Sequence, residues 1–187
     1  MYPFDEINII KDRLISNHHS VSVAESVTSG HLQAALSLAE NARQFYQGGI
    51  TAYNLGQKAR HLRVEPIHAQ EHNCVSHTVA QEMAQEAVRI FSATYGLSIT
   101  GYAAEVPEQN IYRPFAFFSI VGEGRALLTR RIEVPELRDM EDELGAARTI
   151  LKLPEAPADT IKALRIQLWF TRKVLQAFVG ILKSGDD

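Results

Sequence analysis

The sequence predicts a layered α/β domain: a three-layer α/β/α sandwich around a mixed, mostly parallel sheet. Helical periodicities alternate with single short apolar runs along most of the chain, and helices separated by single strands cover both faces of a sheet. Two further apolar runs flank Gly122-Glu123-Gly124, which reads as an antiparallel hairpin and makes the sheet mixed. The length of 187 residues suits one compact domain with a sizeable core, so a single domain over 1–187 is expected.

Taken in order, Ile7, Ile10 and Leu14 repeat at helical spacing behind a cap at Asp5, so the chain opens with a helix that ends near Asn17. An apolar run over 21–24 then meets a cluster of hydroxyls and Gly30, after which Leu32, Leu36 and Leu38 mark a second helix. Residues 50–53 read as a short buried strand after Gly48-Gly49, and 57–62 as a helical segment stopped before Pro66. Ser76 can cap a helix whose Val79, Met83, Ala87, Val88 and Phe91 share one face. A strand over 97–100 leads into a polar, proline-bearing loop over 101–114, a length that usually carries function or disorder. The hairpin strands span 115–121 and 126–134. Residues 135–159 are charged and broken by Pro154 and Pro157, an irregular excursion with room for a short helix. A long helix over 160–183 closes the chain, with Ile161, Leu164, Leu168, Leu175, Phe178 and Leu182 at helical spacing, to seal a sheet face or an oligomer interface.

Composition narrows the partners. Hydrophobic residues make up 45% and charged residues 22%, and a formal net charge of -3 gives no electrostatic reason to expect nucleic acid. A small-molecule partner is expected instead. No apolar run approaches the roughly 20 residues that span a bilayer, and the start of the chain lacks a signal peptide's basic and apolar regions. A cytoplasmic protein that engages no membrane is the expectation. Cys74 is the one cysteine, which excludes an internal disulfide and agrees with a reducing compartment.

The chemistry concentrates in Ala24-Glu25-Ser26-Val27-Thr28-Ser29-Gly30. A serine at the carboxyl end of a parallel strand lies where open α/β sheets gather ligands, and the following helix aims free backbone N–H groups at negative charge. Ser26 can attack while those donors hold an oxyanion; hydroxyls in such a turn, Thr28 and Ser29 among them, also simply cap the helix. The segment is not the Gly-x-Ser-x-Gly elbow. Lys58, in a second polar cluster over 53–58, can supply the base only if its amine is neutral. An unperturbed amine titrates near ~10.4, and holding it neutral at pH 7 costs ~4 kcal/mol, which burial in an apolar pocket can provide. A buried lysine with no acidic partner is therefore the expected signature, against the alternative of a solvated lysine on a surface helix. Tyr53 can orient the amine or relay a proton, or merely pack at a strand end.

Glu25 can fix the turn by accepting backbone N–H bonds. His68, His72, Cys74 and His77 raise a metal site, but their spacing fits no standard zinc pattern, and neither metal nor cofactor is expected. Arg130 and Arg131 point to opposite faces of a strand, so at most one reaches the site.

These segments together resemble the C-terminal domain of the competence/damage-inducible protein CinA, the family of the nicotinamide mononucleotide amidohydrolases. The first stretch is similar to the family's Ala-Glu-Ser-Cys-Thr-Gly-Gly. Gly48-Gly49, then Tyr53-Asn54-Leu55 and Lys58, resemble its Gly-Gly, Tyr-Ser-Asn and a lysine three residues later. Val75-Ser76 before the helix with Val79, Ala80 and Met83, and Thr100-Gly101 at a strand end, complete the order. The likeness runs over about residues 5–134 and resumes in the last helix.

Carried over, the resemblance implies Ser26 as nucleophile, Lys58 as its base, Tyr53 nearby, and the turn after Ser26 as oxyanion cradle, with Glu25, Thr28, Ser29 and Gly30 expected among the substrate-binding residues. It places Thr100 and Gly101 at the nucleotide site. The implied reaction converts nicotinamide mononucleotide to nicotinate mononucleotide and ammonia through an acyl-enzyme, without a metal; a homo-oligomer is expected. The family's Thr-Gly-Ile-Ala-Gly-Pro and further glycines stand here as Thr100-Gly101-Tyr102-Ala103-Ala104-Glu105-Val106-Pro107, where Tyr102 adds bulk and Glu105 a charge that repels phosphate. Leu55 replaces an asparagine, Ser29 a glycine, and residues 115–118 a small Val-Gly-Thr run. Beside the amidohydrolase stand an amidase of a different substrate, a catalytically silent binding or regulatory module, and an oligomeric scaffold built on the last helix.

Overall fold

The structure is a computed structural model that describes residues 2–135 and 157–184. Its elements run α1 (Phe4–Ser16), β1 (Val21–Glu25), α2 (His31–Ser37), β2 (Tyr46–Thr51), α3 (Leu55–Leu62), α4 (Pro66–Glu71), α5 (His77–Phe91), β3 (Tyr95–Tyr102), β4 (Phe115–Gly122), β5 (Arg125–Glu133) and α6 (Ala158–Ser184). The short helix entertained for the excursion over 135–159 falls mostly outside the described residues.

The strands form one five-stranded sheet in the order β2-β1-β3-β4-β5. β1 pairs in parallel with both β2 and β3, whereas β3–β4 and β4–β5 are antiparallel, so β4 alone runs against the other strands. The sheet is thus mixed and mostly parallel in direction. The hairpin turn is tightened to Glu123-Gly124, both at positive φ, and the two strands pair from Gly122↔Arg125 to Phe115↔Glu133.

Alternation along the strands splits the core in two. Val21, Val23, Leu97, Ile99, Phe118 and Ile120 face α1, α2 and α6 in the larger cluster. Ala24 faces the other way, with Ala52, Leu62, Val79, Met83 and Ala87 from the α3–α5 side. This second face carries small residues, which lets α5 come close: a Cβ at Gly96 would stand 2.3 Å from the Ala84 carbonyl oxygen. The buried Ser98 hydroxyl donates to the Ala80 carbonyl across the same contact.

Several boundaries differ from the expectation for identifiable reasons. Asp5 lies within the first turn of α1, where its charge complements the helix dipole, and Pro3 occupies the cap. Gly48-Gly49 lie inside β2 beside a register shift, and Ala52 and Tyr53 lie beyond its end. Pro66 starts α4 at its first turn, where its missing N–H costs nothing, and the Glu65 carboxylate caps that helix. β3 continues through Gly101 and Tyr102. Leu38 falls past α2 and is exposed. In α6 the buried stripe begins with Ile166, Trp169 and Phe170, leaving Leu164 and Leu168 half-buried. Among the described residues no helix is long and apolar enough to cross a membrane.

Candidate active site

Three neighbouring parallel strands end on one side of the sheet, and each delivers a segment of the site. Ser26 follows the last residue of β1, and its N–H donates to the Ile99 carbonyl of β3 at 3.0 Å, which pins the residue between the strands. The end of β2 is tied to β1 through Ala52 N–H donating to the Glu25 carbonyl at 2.9 Å. Asn54 then caps α3 by accepting from Gln57 N–H at 3.0 Å, so Lys58 stands one turn into a helix whose start is fixed.

Lys58 Nζ and Ser26 Oγ are hydrogen-bonded at 2.8 Å. Both side chains are buried, Ser26 at 5% and Lys58 at 2% exposure. Among the described residues Lys58 forms no ion pair with a carboxylate. Burial pushes its amine below the ordinary lysine value, an effect opposed in smaller part by the nearby Cys74 thiol. Desolvation without a counter-charge is the condition under which a lysine sheds its proton.

The turn after Ser26 is organised around Glu25. The carboxylate, fully buried, accepts from Thr28 Oγ1 at 2.5 Å and from the N–H groups of Gly30, Leu32 and Gln33 at 3.1, 3.0 and 2.9 Å. It therefore consumes the donors at the start of α2 that a bound anion would use. Ser29 N–H donates to Ser26 O and His31 N–H to Thr28 O. Among the described residues the N–H groups of Val27 and Thr28 have no acceptor, and they are the donors left beside Ser26. The Glu25 charge reaches further: after burial, it is the second cause that raises the Tyr46 phenol to about 12.

Ser26 and Lys58 open into a cavity of about 440 Å³, which Tyr53, Thr100 and Gly101 also line. Tyr53 sits at the mouth with 72% exposure. It makes no hydrogen bond to Lys58 among the described residues, so its hydroxyl does not orient the amine. The Thr100 hydroxyl donates to the Cys74 carbonyl at 2.8 Å, which spends its proton on the fold. Gly101 is required by strand pairing, since a Cβ there would lie 2.3 Å from the Phe115 carbonyl oxygen. Glu25, Thr28, Ser29 and Gly30 stand outside the lining, in the cap just described.

Sequence reasoning missed other walls. Asn73 and Cys74, consecutive residues at φ 48° and 61°, border the cavity from the turn between α4 and α5. Ala163 and Gln167 reach it from α6, and Gln167 also bonds His31, whose ring meets the Tyr2 hydroxyl at 2.9 Å. Asn at positive φ is a weak turn signal, and nothing in the periodicity of α6 singles out Gln167. Glu105 faces away, paired with Lys162 at 2.9 Å.

The histidine cluster disperses. His68 bonds Ser76 at 2.9 Å and stacks on His72 at 4.1 Å, while His77 packs edge-on against Phe117. Among the described residues no three His, Cys, Asp or Glu side chains converge as metal ligands. Neither Arg130 nor Arg131 lines the cavity; the Arg131 guanidinium lies over the Phe115 ring at 4.2 Å.

Known proteins agree with this architecture. A CinA-like protein of Solibacter usitatus is 39% identical over 100 residues, covering 53% of this chain and 24% of that protein. A CinA-like protein of Mycobacterium marinum is 33% identical over 132 residues, covering 70% of this chain and 31% of that protein. The chain thus spans about a quarter to a third of the length of these two relatives. Two solved structures share the fold. A competence or damage-inducible protein from Enterobacter asburiae aligns at TM-score 0.79 and 20% identity over 97% of this chain and 99% of that one. The competence damage-inducible protein A of Klebsiella pneumoniae aligns at 0.78 and 21% over 98% of both. Residues 5–144 match the family description CinA C-terminal domain, and the chain belongs to that family.

Proposed function

We propose that this chain is a serine–lysine amidohydrolase that converts the carboxamide of nicotinamide mononucleotide to a carboxylate, releasing ammonia. The observation that carries the reading is the buried Lys58–Ser26 contact at 2.8 Å, with the amine driven toward its neutral form and opening into a ligand-sized cavity. A structural lysine gains nothing from being desolvated beside a hydroxyl, whereas a general base requires it.

In this reading neutral Lys58 takes the Ser26 proton as Oγ bonds to the carboxamide carbon. The N–H group of Val27, which follows Ser26 in the cavity lining and has no acceptor among the described residues, is the donor for the oxyanion that develops. Collapse breaks the C–N bond, and the proton held by Lys58 leaves with the nitrogen as ammonia. Lys58, neutral again, accepts a proton from water attacking the acyl ester, then returns it to Ser26 as the carboxylic acid departs. Tyr53, at the mouth, contacts the bound substrate. The chain is expected to work as a homo-oligomer in the cytoplasm.

Ammonia release by the purified protein from nicotinamide mononucleotide and a panel of small amides tests the reading, with Ser26→Ala and Lys58→Ala beside the wild type. Loss in both variants supports the dyad; no release from any amide by folded wild type replaces it with a silent binding module. Glu25 favours that second reading in one respect, since it occupies the helix N-terminal donors that would otherwise hold a phosphate.

A further inference from the structure

Beside the Ser26 cavity lies a second one, also of about 440 Å³, bordered by Gln70, His72, Ile111 and Phe115. Asn73, Val75 and Tyr102 line both cavities, so they form the partition between them. Val75 adjoins the Ser76 cap and cannot withdraw without unseating α5. The rest of the partition is made of two side chains, and a third holds them: Asn73 Nδ2 donates to Tyr102 Oη at 2.8 Å and to Gln109 Oε1 at 2.7 Å, while Tyr102 Oη donates to Gln109 Oε1 at 3.2 Å. These bonds are exposed, where water competes for the same groups. The ring itself leans on Phe115, with centroids 5.5 Å apart. Bulk therefore comes from the ring, and its placement from the clasp.

We propose that Tyr102 is the specificity-determining residue of this site: its ring ends the Ser26 cavity and limits how far a substrate can extend from the reacting carboxamide. The inference rests on the amidohydrolase reading and adds a size limit to it. A nicotinamide mononucleotide lies within a cavity of this volume, whereas a nicotinamide dinucleotide, with the same carboxamide and a second nucleotide, meets the partition where it extends along the cavity toward Tyr102. With the ring removed only Asn73, released from its bond to Tyr102, and Val75 stand between the two cavities, and the second offers Phe115 and His72 to the extra ring system. The difference between the two substrates then lies in binding of the distal part, not in chemistry at the amide.

The test measures kcat/KM for ammonia release from the mononucleotide and the dinucleotide with wild type, Tyr102→Ala and Tyr102→Phe. Wild type is expected to favour the mononucleotide, Tyr102→Ala to narrow that preference by about tenfold or more through the dinucleotide KM, and Tyr102→Phe to narrow it less, since the ring stays but loses its bonds to Asn73 and Gln109. The double variant Asn73→Ala with Gln109→Ala keeps the ring but frees it, and narrows the preference less than Tyr102→Ala does; it serves where Tyr102→Ala does not fold. Wild type that treats both substrates alike, or a preference unchanged by every variant, overturns the size limit. Absence of ammonia release from either substrate by wild type fells the nicotinamide mononucleotide reading instead. The partition is then judged by equilibrium dialysis of the two nucleotides. Dinucleotide retained only when the ring is removed or freed supports it, and equal binding, or none, by all proteins overturns it.

Discussion

The Lys58 amine sits 2.8 Å from the Ser26 hydroxyl, in a buried contact that joins helix α3 to the end of strand β1. If this pair is the catalytic dyad, Ser26→Ala and Lys58→Ala each lower ammonia release on the order of 10³-fold or more, and the double variant loses little beyond either single one, because the two groups act as a unit. Only the neutral amine accepts a proton, so kcat/KM rises with pH and levels off, with a midpoint below the ordinary lysine value of 10.5 because burial lowers it. A pH–rate profile checks this. A midpoint at or above the ordinary value assigns the limb to some other group.

The same burial makes a stability prediction of opposite origin. In the unfolded chain Lys58 titrates at its ordinary 10.5, and in the fold burial lowers it. Between those values the unfolded chain binds more protons, so the wild-type protein gains stability as pH rises through that window; below it both states are protonated and the cost of burying the charge is fully present. Lys58→Met removes the group. The variant is expected to be more stable than wild type at neutral pH, by a margin that shrinks as pH approaches 10.5. Urea unfolding at about pH 7 and about pH 9.5 measures both margins. A margin that stays constant with pH contradicts a native state holding the amine desolvated.

Glu25 is expected to matter to folding first. Its carboxylate satisfies the N–H groups of Gly30, Leu32 and Gln33 together with the Thr28 hydroxyl at the strand-to-helix junction, where the Leu32 and Thr28 bonds are buried and the Gly30 and Gln33 bonds half-buried. Glu25→Ala strands those donors, and each unsatisfied buried group costs about 1–3 kcal/mol, so a loss of about 2–5 kcal/mol is expected after partial relaxation. Glu25→Gln keeps one acceptor oxygen and turns an amide NH₂ toward the remaining donors, giving an intermediate loss. Denaturant midpoints order the three proteins. A Glu25→Ala variant as stable as wild type contradicts the capping role.

What the sequence disclosed and what it concealed divide along physical lines. Residues governed by local rules were legible: the apolar run before Ser26, the Ser76 cap of α5, and the hairpin around Glu123-Gly124. Lys58 was legible through its place after a strand end, although its burial depends on α3 packing against α4 and α5 and is not a local property. Pro66 reads as a stop for the preceding helix, and α3 does end at Leu62 before it; that the same proline starts α4 depends on the Glu65 cap, which the stop signal does not reveal. The cavity walls at Asn73 and Gln167 were hidden because they come from segments distant from the motifs. Tyr102 was noted for its bulk, while its bond to Asn73, 29 residues away, has no sequence signal.

Two glycines predict opposite responses to the same substitution. At Gly96 an added Cβ would stand 2.3 Å from the Ala84 carbonyl oxygen and 2.7 Å from Val88 Cγ2. The carbonyl belongs to the body of α5 and cannot rotate away, so the helix must lift from the sheet. Overpacking of this kind costs about 1–3 kcal/mol, and the backbone contact argues for the upper end. Because α5 is capped by Ser76, next to the Cys74 and Val75 walls of the cavity, Gly96→Ala is also expected to weaken ligand binding. Gly180 lies in α6 with nothing within 4 Å of an added Cβ. There alanine removes backbone freedom from the unfolded chain without a clash, and Gly180→Ala is expected to stabilise by about 0.5–1 kcal/mol. Thermal unfolding of the two variants against wild type separates them, and destabilisation by Gly180→Ala would show that the outer face of α6 is covered in solution.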